Sequence, residues 1–237
     1  MLCDLDNVIR FYDTTELAAL ERVAGLAEGT TMDIAYAPEV DLPLLLGRIT
    51  TDEWVTTIAS RLAGRPTGPA THAPVTPAEP HLHAPTPLTE PQAYALGHAL
   101  ARAPFRADEA VVALLRRVRD RLPLVLVTNA SDQLEEDLAS LGIDDLADHV
   151  VSSAREGVAK PDPAIYVTAA ARAGVPVKRC LFVDDRRENV DAAVALGMTG
   201  VLYRELADLY APLSAALEGG GLEDGGQQDG GQQDEAA

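Results

Sequence analysis

Met1-Leu2-Cys3-Asp4-Leu5-Asp6-Asn7-Val8-Ile9 opens the chain, and the fold is read outward from this stretch. An apolar start runs into two carboxylates, Asp4 and Asp6, with Val8 and Ile9 close behind. In an extended strand, alternation puts Asp4 and Asp6 on the same side of the chain at the strand's end. Same-side carboxylates repel each other unless a cation or a shared proton intervenes. The pair therefore points to a metal site; the alternative is a solvated turn after a short strand. Residues 1–8 read as that strand. Only three residues precede Asp4, where a central strand brings about five to its end. The strand is expected to be short, and a start upstream of Met1 would lengthen it.

Further runs match this one. Leu124-Val125-Leu126-Val127 leads into Thr128-Asn129, Cys180-Leu181-Phe182-Val183 leads into Asp184-Asp185, and weaker strands are expected at 149–152 and 199–203. Short, continuously apolar strands are those of a parallel sheet covered on both faces. Helices are predicted between them at 132–141, from Pro163 to about Ala173, at 188–196 and at 204–217. The alternation predicts an α/β fold, a Rossmann-like open parallel sheet with helices on both faces.

Residues 14–122 break that rhythm. Helices are predicted at 14–27 and 38–47, and Thr50 with Glu53 forms a capping box for a third that carries Trp54, Val55, Ile58 and Leu62 and ends at Gly64. Helices resume at 91–102 and 107–121. Between them, residues 65–91 hold proline at 66, 69, 74, 77, 80, 85, 87 and 91, which excludes helix and central strand and reads as a flexible linker. His72, His81 and His83 fall there with no acidic or thiol partner placed nearby, and read as incidental. Residues 218–237 contain Gly-Gly-Gln-Gln-Asp twice and read as a disordered acidic tail. The expected division is a core of 1–13 and 123–217, an inserted helical module of 14–122 and the tail.

Composition narrows the function. A formal net charge of −18 argues against nucleic acid and anionic membrane surfaces as partners. No apolar run approaches the roughly 18 residues of a membrane span, and no basic-then-apolar leader is present, so a soluble cytoplasmic protein is expected. Cys3 and Cys180 both sit in apolar strands and read as buried free thiols.

In open α/β sheets, sites form at the carboxyl ends of the strands. Three such ends carry Asp4 and Asp6, Thr128 and Asn129, and Asp184 and Asp185, with Lys160 in the loop between the last two. Singly they read as a turn, a helix cap, a solvated lysine and another turn. Jointly they describe a phosphoryl-transfer site. Carboxylates from two strands can hold Mg²⁺, one carboxylate can attack phosphorus, and a second can move the proton. A hydroxyl and a lysine can hold the transferred oxygens.

Asp4-Leu5-Asp6-Asn7-Val8, Thr128, Lys160 and Asp184-Asp185 together resemble the four motifs of the haloacid dehalogenase (HAD) superfamily, in its phosphatase-like branch. The resemblance covers roughly 1–64 and 91–217, and implies that the helical module is a cap over a HAD core. It further implies Asp4 as nucleophile and Asp6 as general acid/base whose main-chain carbonyl also meets the metal. Thr128 and Lys160 would hold the phosphoryl group, Asp185 would ligate Mg²⁺ with Asp184 beside it, and Asn189 would orient that loop. Asn129 and Arg10 are candidates for substrate contact. Phe11, Tyr12 and Asp13 share that candidacy, with packing as the alternative for the two aromatics. The segment Leu46–Trp54 resembles caps of small sugar-phosphate phosphatases. The expected function is a Mg²⁺-dependent phosphatase of a small phosphorylated metabolite. A 2-haloacid dehalogenase, a phosphoglucomutase-type enzyme and a non-catalytic binding module are the alternatives.

Overall fold

The structure, a computed structural model, describes residues 1–67 and 86–218. His72, His81 and His83, most of the proline-rich stretch and the tail beyond Glu218 lie outside the described residues. The chain enters through β1 (Leu2–Cys3) and β2 (Arg10–Tyr12). It then forms α1 (Thr15–Val23), α2 (Thr30–Ala35), α3 (Pro38–Leu45), α4 (Thr51–Leu62), the short strands β3 (Pro66–Thr67) and β4 (Thr86–Pro87), and α5 (Glu90–Ala101). There follow β5 (Phe105–Ala107), α6 (Glu109–Arg119), β6 (Val125–Thr128), α7 (Leu134–Ser140), β7 (His149–Ser152), α8 (Ser153–Glu156) and α9 (Pro163–Arg172). A 3₁₀ turn at Val177–Arg179, β8 (Leu181–Asp184), α10 (Arg187–Ala195), β9 (Thr199–Leu202) and α11 (Ala207–Glu218) complete it.

Five strands form one parallel sheet in the order β7-β6-β1-β8-β9. β1 is short, as expected, yet central: Leu2 lies opposite Val125 and Phe182, and Cys3 opposite Leu126 and Val183. The period-two alternation of strands then sorts the side chains. Leu2, Val125, Val127 and Phe182 pack with Ile165, Tyr166 and Ala169 of α9 and Ala193 of α10. Cys3, Leu124, Leu126 and Val183 pack on the opposite face with Val111 and Leu115 of α6, Leu138 of α7 and Leu209 of α11. Both faces are covered, which is why these strands are apolar at every position. Full burial of a side chain such as Leu2 or Phe182 contributes about 1.5–3 kcal/mol. Both cysteines are free and buried.

The second core is helical. In α4, Thr50 Oγ1 accepts from the Glu53 amide (3.2 Å) and Glu53 Oε2 accepts from the Thr50 amide (2.8 Å), the capping box read from the sequence. Trp54, Val55, Ile58 and Leu62 then pack with Ala93, Leu96 and Leu100 of α5 and with Leu17, Val40 and Leu44. At the end of α3, Gly47 has φ +64°, and a Cβ there would lie 2.7 Å from the carbonyl oxygen of Ala154 in α8. A side chain would push this helical unit off the sheet domain.

Several elements depart from expectation. Helix α6 falls inside the expected 14–122 module, but Val111, Leu114, Leu115 and Val118 belong to the core cluster on the sheet. Its amphipathic pattern is plain in the sequence; which apolar surface it covers is not. β2 and β5 were not anticipated. They pair antiparallel, Arg10 opposite Ala107 and Tyr12 opposite Phe105, where the chain leaves for the inserted helices and returns. Helix α2 was missed because its cap comes from elsewhere: the buried Glu21 carboxylate accepts from the amides of Gly29 (2.7 Å) and Thr31 (2.6 Å). The two ends of the proline-rich stretch pair as β3 and β4, and α5 begins inside it at Glu90.

Candidate active site

The loop after β1 turns back on itself. Ile9 and Arg10 both donate their amides to the Leu5 carbonyl at 2.8 Å, and Asn7 takes φ 59°, a left-handed conformation that asparagine tolerates. This turn separates the two opening carboxylates. Asp4 stays at the carboxyl end of the central strand, 5% exposed, and its Oδ1 lies 2.6 Å from Lys160 Nζ. Asp6 turns to Arg10, whose Nε and Nη2 meet its two oxygens at 2.6 and 3.1 Å.

Lys160 joins the two edges of the cluster. Its ammonium also lies 2.8 Å from Asp184 Oδ2, and it is buried with both partners. Asn129 fixes its main chain: the Asn129 amide group donates to the Lys160 carbonyl (3.0 Å) and its oxygen accepts from the Lys160 amide (2.8 Å). Burial pulls the Lys160 ammonium down, but Asp4 and Asp184 outweigh it and the net shift is upward. Burial pushes the Asp4 carboxyl well above the usual carboxylate range, against the pull of Lys160 and with Asp184 and Asp6 adding to it.

The acidic pair after β8 divides its work. Asp184 is fully buried and accepts from Lys160, from the Asn189 amide group at 3.0 and 3.1 Å, and from the Arg186 amide at 2.8 Å. Its oxygens are saturated by protein. Asp185 is half-buried and accepts from Asn7 Nδ2 at 3.0 Å. Burial and Asp184 hold it above its ordinary range, with the Asn7 bond opposing. Ligand oxygens of Asp4, Asp184 and Asp185 lie within 4.8 Å of one another. An all-oxygen set of this kind suits a hard cation. The Asp6 carboxylate is outside that group.

Thr128 ends β6 with its side chain 1% exposed, and its Oγ1 has no partner among the described residues. It is not a helix cap, since α7 starts after Gln133. A buried hydroxyl without a partner costs free energy unless a ligand meets it.

Two expected substrate contacts line the clefts and also have partners within the protein. Arg10 is 3% exposed; beyond Asp6, its Nη1 pairs with Asp137 of α7 at 2.7 Å, and its guanidinium lies 5.0 Å from the Tyr12 ring centre. Three of its five N–H donors are bonded within the protein, two of them to Asp6, so it positions Asp6. The Asn129 side chain is likewise committed, to Lys160. Tyr12 packs edge-on against Phe105, while Phe11 packs on the sheet's core.

Two adjoining clefts open here. One, of about 600 Å³, is lined by Asp4, Asp6, Asn7, Lys160, Asp185 and Arg186 and by Met32, Tyr36 and Asp41 of the inserted helices. The other, of about 170 Å³, runs from Asp6 and Arg10 to Leu44, Thr51 and Trp54. Asp6, Tyr12, Tyr36, Asp41 and Asn129 are among the residues that line both. Asp137 carried no functional signal in the sequence; Asn7 appeared only as part of the first motif, and Thr51 and Trp54 only inside the cap-like segment Leu46–Trp54, none with a role of its own.

The family model for haloacid dehalogenase-like hydrolases matches residues 48–197. The chain belongs to this family. HAD-like relatives include a sesquiterpene phosphatase of Aspergillus oryzae, 33% identical over 98 residues, which are 40% of this chain and 50% of that protein. A phosphatase of Mycobacterium tuberculosis is 42% identical over 65 residues, 27% of this chain and 30% of that one. The chain thus spans half or less of the curated relatives it matches. A HAD family enzyme of Bacteroides thetaiotaomicron, crystallised with magnesium and inorganic phosphate, superposes with a TM-score of 0.60 at 18% identity, covering 88% of this chain and 97% of that one. That likeness establishes the HAD-like α/β fold with its five-stranded parallel sheet.

Proposed function

We propose that this HAD-like hydrolase is a Mg²⁺-dependent phosphatase of a small phosphorylated metabolite, acting through an aspartyl-phosphate intermediate. The observation that carries the reading is the buried Asp4–Lys160–Asp184 chain, at 2.6 and 2.8 Å, with Asp185 beside it at the carboxyl ends of β1 and β8. Relatives named as phosphatases support it.

In this reading an Asp4 oxygen attacks phosphorus as the bond from phosphorus to the leaving oxygen breaks. Asp6, which in the substrate-bound enzyme carries a proton in place of one of its contacts with Arg10, gives that proton to the leaving oxygen. Asp6, now ionised, takes a proton from water as the water attacks phosphorus and frees Asp4. Thr128 Oγ1 donates to a phosphoryl oxygen, which supplies its missing partner, and Lys160 offsets the repulsion between Asp4 and the phosphoryl group. Arg10 holds Asp6 toward the leaving group. Asp4, Asp185 and the main-chain carbonyl of Asp6 would hold Mg²⁺, with Asp184 as a support because its oxygens are already filled. Bound Mg²⁺ supplies positive charge that favours ionised Asp4 and the charge developing on the phosphoryl oxygens.

The test is hydrolysis of p-nitrophenyl phosphate by wild type and D4N, with Mg²⁺ and with EDTA. Turnover by wild type with Mg²⁺ alone is expected. Turnover by folded D4N, or halide release from a 2-haloacid that survives EDTA, would overturn the reading.

A further inference from the structure

Among the described residues, Thr31 Oγ1, Thr51 Oγ1, Trp54 Nε1, Thr128 Oγ1 and Ser152 Oγ are buried polar atoms without a partner. Thr51 and Trp54 stand apart because both line the smaller cleft, next to Asp6. They occupy the first turn of α4, three residues apart on one helix face. Trp54 is 6% exposed, so its indole N–H has no access to bulk water. Burying a donor without a partner costs on the order of 1–3 kcal/mol. Two such atoms, just beneath the surface of residues that line one wall of the cleft, point to a ligand oxygen as the missing partner, reached by a side-chain shift on binding.

The electrostatics of the cleft narrow the ligand. Its carboxylates are Asp6, Asp41 and Asp137, and its guanidinium is Arg10, which Asp6 and Asp137 already hold. In the adjoining cleft Lys160 is held by Asp4 and Asp184, and Arg186 pairs with Glu188. Among the described residues, each cation lining the clefts has a carboxylate partner, part-buried for Arg10, buried for Lys160 and solvent-exposed for Arg186. A second anionic group on the substrate would meet like charge in partly desolvated surroundings, while a hydroxyl would be accepted. The apolar part of the wall, Leu44, Leu100 and Phe105, suits a carbon skeleton.

We infer that Thr51 Oγ1 and Trp54 Nε1 form a subsite that donates hydrogen bonds to an uncharged oxygen of the leaving group, so that the enzyme selects phosphate esters of neutral polyols and sugars over those of hydroxy acids. This rests on the phosphatase reading and adds to it the groups that recognise the leaving alcohol.

The experiment uses glycerol 3-phosphate and 3-phosphoglycerate, which differ by a hydroxymethyl against a carboxylate, with p-nitrophenyl phosphate as the reference. Wild type is expected to favour glycerol 3-phosphate over 3-phosphoglycerate by about tenfold or more in kcat/KM. T51V and W54F each lower kcat/KM for glycerol 3-phosphate by about tenfold relative to p-nitrophenyl phosphate, mainly through KM. Trp54 is the chain's one tryptophan, so binding is read directly as well. Titrating D4N with glycerol 3-phosphate in Mg²⁺ shifts the indole emission to the red and saturates; inorganic phosphate does not shift it, and D4N/T51V needs about tenfold more ester. Equal losses on both esters in T51V and W54F, an unmoved emission, or a preference for 3-phosphoglycerate would overturn the inference while the phosphatase reading stands. A wild type that hydrolyses none of the three esters removes both.

Discussion

The carboxyl edge of the sheet and the wall of α4 treat polar groups in opposite ways. At the sheet edge the charged groups are partnered within the protein: Asp4 with Lys160, Lys160 with Asp184, Asp184 with Asn189, and Asp6 with Arg10. On the face of α4 that lines the cleft, the polar atoms of Thr51 and Trp54 are neutral and have no partner among the described residues. The difference follows from cost. A buried charge without a partner is worth several kcal/mol against folding, so it must be satisfied before any substrate arrives. A buried hydroxyl or indole costs far less and can wait for a ligand. Thr128 and Ser152, neutral hydroxyls opposite each other at the ends of β6 and β7, likewise have no partner among the described residues. Reaction chemistry is therefore built in advance, while recognition is left to groups the protein can afford to leave incomplete.

The hardest test of the built-in half is D4N, which should lower kcat on p-nitrophenyl phosphate by at least about 10³-fold while the thermal melt stays cooperative. Next comes Lys160. K160M leaves Asp4 and Asp184 buried and unpaired, so unfolding in urea with EDTA present should show a loss of about 3–5 kcal/mol. Activity should fall with it. A K160M protein as stable as wild type would mean that the sheet edge is not held by this ion pair.

Arg10 sharpens the comparison, since it belongs to the built-in half although it lines the recognition cleft. R10M should lower kcat by about 10- to 100-fold with a small change in KM, because Asp6 loses the fork that aims it. R10K should recover little of this, since an ammonium cannot make the bidentate contact. A rise in KM with kcat unchanged would return Arg10 to substrate binding.

The smallest effect is expected at Asp41, a carboxylate in the cleft among the inserted helices. Burial raises it from 3.8 to about 6, with Arg186 opposing. Its folded form prefers the proton, so the stability it permits is complete below pH 3.8 and is lost as pH rises through about 6. Two units correspond to at most about 2.7 kcal/mol, and partial solvation trims this to about 1 kcal/mol. D41N should match wild type in thermal melts near pH 3.8 and exceed it near pH 7, a gap that opens across the window between the two values. A constant gap at all pH would assign Asp41 no titration of its own.

The built-in half was legible in the sequence and the waiting half was not. Asp4, Thr128 and Asp184-Asp185 each end or follow an apolar strand and Lys160 lies in the loop before α9, so their convergence at the carboxyl edge of a parallel sheet was legible. The Thr50 capping box was legible because both partners lie within one turn. The ties of Arg10 within the protein were not legible because its second partner, Asp137, is 127 residues away and lies on a helix whose pattern shows only its apolar face. Helix α2 escaped because Glu21 caps it from α1. Thr51 and Trp54 fell in a segment that resembles a cap, but their proposed role depends on atoms that lack neighbours, which no spacing encodes. Helix α6 was assigned to the cap because an amphipathic stripe does not name the surface it meets.

The central claim is that Asp4 carries the phosphoryl group. Wild-type protein turning over p-nitrophenyl phosphate in Mg²⁺, quenched in acid during the steady state and digested, should yield a peptide containing Asp4 heavier by one phosphoryl group. The label should be lost on brief treatment with hydroxylamine and be absent from D4N. Steady turnover with an unlabelled Asp4 peptide, or with the label on another residue, would contradict the account.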